Sequence, residues 1–93
     1  MPKVVSNSSP LIHLARIGQL NLLKHFFNEI IVPEAVHKEC VIEGKDREDA
    51  KKIEKVDWIK VAKIRDENLK KALMMVLDEG EAEAITLALE ESA

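Results

Sequence analysis

Three oxygen-bearing side chains occupy places where polarity is costly: Asn7, Glu39 and Glu81. With Ala35 at zero and 100° of turn per residue, Val36, Cys40 and Ile42 fall at roughly 100°, 140° and 340°, and Glu39 at roughly 40°. Glu39 therefore lies inside an apolar stripe. A carboxylate there must be paired, protonated or bound to a metal ion, because burying it alone is expensive. The plainer alternative is an edge glutamate whose stem lies along apolar surface while its head reaches water. In the last helical segment, with Glu81 at zero, Ile85, Leu89 and Ala88 fall at roughly 40°, 80° and 340°. Of the acids in Gly80-Glu81-Ala82-Glu83, the period selects Glu81 for the inner side and puts Glu83 and Glu90 opposite. A first-turn acid also suits the helix dipole, whatever its direction. Asn7 follows an apolar strand and precedes a helix, the place where ligands bind in open α/β sheets. Turn shaping and capping by Asn7 and Ser8 would explain the same residues.

Other reactive side chains carry less. His13, His25 and His37 lack zinc-ligand spacing. Cys40 has no cysteine partner and reads as a small core residue, which fits a reducing cytoplasm. Met74 and Met75 read as core filling, and Trp58 as an anchor holding a strand against a helix.

The elements that must hold these residues alternate. Lys3–Ser6 reads as a buried strand, with Ser9 capping a helix that begins at Pro10 and stops near Gly18. A short helix spans about Leu20–Phe27. The run Glu29–Val32 is a second strand, and Pro33 opens a helix to about Ile42 that ends at Gly44. A charged surface helix with few apolar anchors covers Asp46–Lys55. A third strand covers Ile59–Ile64, and helices cover Asn68–Leu77 and Glu81–Glu91, divided at Gly80. Helical crossovers between strands imply one α/β domain, a parallel sheet with helices on its faces.

Composition narrows the function classes. The 93 residues carry 33% charged and 46% apolar side chains and a net charge of −3, which suits a globular chain and not one that coats nucleic acid by bulk charge. An excess of eleven lysines and twelve glutamates over one glutamine fits heat adaptation. No apolar run approaches a membrane span of about 20 residues, and no signal peptide opens the chain.

In order and spacing, three segments resemble PIN domains. Val4-Val5-Ser6-Asn7-Ser8-Ser9-Pro10-Leu11-Ile12 is similar to the family's opening strand and turn, and Ile31-Val32-Pro33-Glu34-Ala35-Val36 with Glu39 to its second strand and helix. Leu77-Asp78-Glu79-Gly80-Glu81-Ala82-Glu83-Ala84-Ile85 with Leu87-Ala88-Leu89 is similar to a late helix of the prokaryotic branch related to toxin ribonucleases of toxin–antitoxin pairs. The resemblance implies a PIN-like three-layer fold, residues 1–93 forming a single, incomplete domain that lacks the C-terminal strands. It implies Mg²⁺ or Mn²⁺ held by carboxylates, activating water against an RNA phosphodiester. Glu39 and Glu81 match the second and third acidic positions. Asn7 stands at the first, as it does in sequences of this branch, and Ser8 would donate from behind. The implied partners are RNA and an antitoxin protein.

The fourth acid would follow a strand beyond residue 93, so cation binding in this chain is expected to be weak or absent. That leaves a second expectation, a catalytically silent PIN fragment acting as an interaction or dimerisation module. A bare first-strand edge would then drive homo-oligomer formation. An unrelated helical binding module would require the three apolar runs not to be strands.

Overall fold

The computed structural model describes residues 4–91. Strand β1 is Val4–Val5, β2 is Ile30–Pro33 and β3 is Ile59–Ala62. They pair in parallel in the order β1-β2-β3, with Val4 opposite Ile30 and Ile30 opposite Ile59. Helix α1 spans Ser8–Arg16, α2 Asn21–Phe26, α3 Glu34–His37, α4 Glu48–Lys55, α5 Glu67–Leu73 and α6 Glu79–Glu91. The expected strand–helix–helix alternation is present, and the fold is α/β with helices on both faces of a short parallel sheet. Lys3, expected in the first strand, lies outside the described residues.

Alternation along β2 divides the interior. Ile30 and Val32 point toward α1, α3 and α4 and join Leu11, Val36, Ile53 and Trp58 in the larger core. Ile31 points the other way, onto Ile64 and Leu87, with Val5 and Ala62 beside them. Trp58 anchors the start of β3: its ring is buried and its carbonyl accepts from the Ile30 N–H at 2.9 Å.

Several local expectations change. Helix α1 begins at Ser8, so Ser9 sits inside it and caps nothing; Asn7 takes the cap position without a side-chain bond. The helix closes as expected at Gly18, whose φ of 71° is the left-handed geometry that glycine adopts without strain. There the Gly18 and Gln19 N–H groups donate to Ala15 and Leu14 carbonyls at 3.2 and 2.8 Å, a Schellman close. After α3 the helix widens to a π-turn at Lys38–Ile42. More than 3.6 residues per turn retards the rotation, which swings Ile42 out of the stripe to 57% exposure and brings Val41 in. Helix α4 is better anchored than its charge suggests, since Asp49, Ala50 and Ile53 are buried. Met74 and Met75 are exposed, not core filling, because α5 ends at Leu73 and they lie in the turn leading to α6.

Candidate functional site

Of the three candidate residues, Glu39 is the one that touches separate elements. It projects half-buried from the π-turn toward the first turns of α1 and α6. The Ser8 hydroxyl donates to Glu39 Oε2 at 3.0 Å. The other carboxylate oxygen rests against Gly80, leaving no space for a side chain there. Two helix N-termini thus flank one carboxylate, a placement that favours negative charge. The partners come from residues 31 and 41 positions away in the chain.

The remaining sequence-selected residues stand around this contact without closing on it. Asn7 is exposed at the carboxyl end of β1. There it lines an open groove of about 350 Å³ with Val5, Ser6, Pro10 and Ile85. Glu81 follows Gly80 but is exposed, contrary to the inner position that helical periodicity gave it. Its carboxylate accepts from the Asp78 N–H at 3.3 Å while its own N–H donates to Asp78 Oδ1 at 2.8 Å, a reciprocal cap on α6.

The inward acid of this helix is Glu83, expected on the outer side and found 7% exposed. The inner face of α6 is Gly80, Ala82, Glu83, Thr86 and Leu87, while Ile85 and Leu89 are 42% and 66% exposed. Small residues let α6 approach α3 and the sheet closely, and that stripe of Gly, Ala and Thr was the sequence signal for the buried side. Glu83 Oε1 accepts from the Ala35 N–H in the first turn of α3 at 3.0 Å, and Lys70 of α5 donates to its Oε2 at 2.6 Å. Lys70 also donates to Glu79 at 3.0 Å. Bonding to Glu83, then to Glu79, drives the Lys70 ammonium above the ordinary lysine range. Glu90, also expected outside, accepts from the Arg65 and Asp66 N–H groups ahead of α5.

Behind Glu39 lies a second charged group. Asp49 is buried between Arg47 and Arg16, whose Nε atoms approach at 3.3 and 3.7 Å. Cys40 is buried beside it, its thiol 4.0 Å from the Ser8 carbonyl. Burial first, then the charges of Glu39 and Asp49, push the thiol up to about 12 against a smaller opposing effect of Arg47. A raised value means that the stabilisation is present below the ordinary thiol range near about 8.5 and fades as pH climbs above it. Native protein at pH 8 is expected to resist Ellman's reagent and to react only in denaturing urea. Stoichiometric labelling of the folded chain within minutes would contradict this burial.

Comparison with known families agrees with this architecture: a family model described as PIN domain matches residues 3–93. The chain belongs to the PIN-domain family. Comparison with curated proteins and with solved structures gives no match. PIN domains generally use Mg²⁺ or Mn²⁺, and the donors near Glu39 are oxygen, as a hard cation requires. They do not form a complete set in this arrangement. Among the described residues no three His, Cys, Asp or Glu side chains gather as a metal centre. One oxygen of Glu39 is bonded to Ser8, and Glu81 is turned into its helix cap. Among the described residues no helix is long and apolar enough to cross a membrane.

Proposed function

We propose that this PIN domain is of the nuclease type related to toxin ribonucleases, with Glu39 as its central acid and RNA as its substrate. Asn7 and Glu81 are the flanking oxygen donors of this reading, and Ser8 orients Glu39. The observation that carries it is the contact of Glu39 with Ser8 and Gly80, which draws the β1–α1 turn and the start of α6 to one carboxylate. Two carboxylates and an amide supply a ligand charge of only −2, so affinity for Mg²⁺ or Mn²⁺ is expected to be low. Calorimetry with Mn²⁺ and a single-stranded RNA assay test the reading together. The expected result is binding no tighter than the millimolar range and slow cleavage at high Mn²⁺, abolished by Glu39→Gln and weakened by Glu81→Gln. A folded chain that cleaves nothing at any Mn²⁺ concentration would remove the nuclease reading.

A second reading, an interaction module, draws support from the groove beside Asn7. The outer edge of β1 has no paired strand among the described residues, and the exposed Ile85 of α6 lines the groove beside it. An antitoxin segment or a second copy of the chain would satisfy that edge.

A further inference from the structure

We infer that Gly80 is the positioning residue for Glu39: its missing side chain is the socket that holds the Glu39 carboxylate on the Ser8 hydroxyl. Gly80 is buried in the first turn of α6, in ordinary helical geometry. Nothing in its backbone asks for glycine. Glycine loses more backbone freedom than alanine on entering a helix, so the position gives up helix stability. What it gains is space. A Cβ there would fall on Glu39 Oε1 and within 3.1 Å of Glu39 Cδ. The nearest atoms to that Cβ are the tip of a side chain with three rotatable bonds. An alanine can therefore enter by evicting the carboxylate, with the backbone left in place. The eviction breaks the 3.0 Å bond from Ser8 and takes the Glu39 carboxylate out of its place between the starts of α1 and α6. Gly80 thus acts through Glu39 and touches no substrate itself.

This assignment deepens the nuclease reading, but its contact can be measured without activity. Thermal melts of Gly80→Ala in three backgrounds separate shape from charge. With Glu39→Ala the obstruction is gone, and alanine at position 80 raises Tm through its better helix propensity. In the wild-type and Glu39→Gln backgrounds, where the side chain keeps its length, Tm is unchanged or falls. In carbon-13 spectra, Gly80→Ala shifts the Glu39 side-chain carboxyl resonance and leaves those of Glu79 and Glu90 in place. Any RNA cleavage falls at least tenfold in Gly80→Ala, although the protein remains folded. Equal Tm changes in all three backgrounds, or an unmoved Glu39 resonance in a folded Gly80→Ala protein, would overturn the assignment. An inactive wild type that shows the melting pattern and the displaced resonance would remove the nuclease reading and uphold the socket.

Discussion

Replacing Glu83 with alanine is expected to destabilise the domain by about 3–5 kcal/mol, the usual effect of breaking a buried ion pair from one side. Glu83 satisfies the Ala35 N–H at the start of α3 and the Lys70 ammonium of α5 at once. Removing it orphans the Ala35 N–H and leaves Lys70, only 14% exposed, with the more exposed Glu79 as its one remaining acid. A domain of this length holds a total of roughly 5–14 kcal/mol, so the variant would keep little margin. Tm followed by circular dichroism should fall by at least about 12 °C. Glu83→Gln, which retains an oxygen for Ala35 but not the charge, should fall between the two. Because Lys70 is raised in the native state, the pair's stabilisation is fully present below the ordinary lysine value of about 10.4 and is lost above it. A Glu83→Ala protein within 1 kcal/mol of wild type, on the order of a surface change, would show that the pair is not the tie between α3, α5 and α6.

Leu87→Ala is the second large effect, about 2–5 kcal/mol. Leu87 is fully buried and, with Ile31 and Ile64, makes the whole buried centre of the smaller core. So few neighbours cannot collapse to fill the cavity. Leu89→Ala, two residues on and 66% exposed, should stay within about 0.5 kcal/mol. Urea denaturation of both variants reads the rotation of α6 directly. If Leu89→Ala proves the costlier change, the helix presents the face that its apolar periodicity suggested.

That periodicity failed for a physical reason. Ile85 and Leu89 together outweigh Leu87 in a sum of apolarity, yet α6 meets its neighbours through Leu87 and through Gly80, Ala82 and Thr86, whose value lies in how close they let backbones come. Strands and helix order were legible because β-branched runs and the punctuation of Pro33 and Gly18 act locally. Glu39 was legible because its place in a stripe depends only on its own helix. Its partner Ser8 lies 31 residues away, and Glu83 meets Ala35 across 48, distances at which a period within one element carries no information. The π-turn was equally hidden, since it changes a hydrogen-bond register and not a residue type.

The two faces of the sheet are also completed at different times during synthesis. Helices α1, α3 and α4 precede residue 56, so the larger core is nearly furnished once β3 has been made, at residue 62. The opposite face, with Ile31, waits for Leu87 of α6, which ends at residue 91. At about 5–20 residues per second, the intervening 29 residues take roughly 1.5–6 s to synthesise. Until α6 is available, Ile31 and Ile64 have no Leu87 to pack against, so this side of the sheet is the last part of the interior to close.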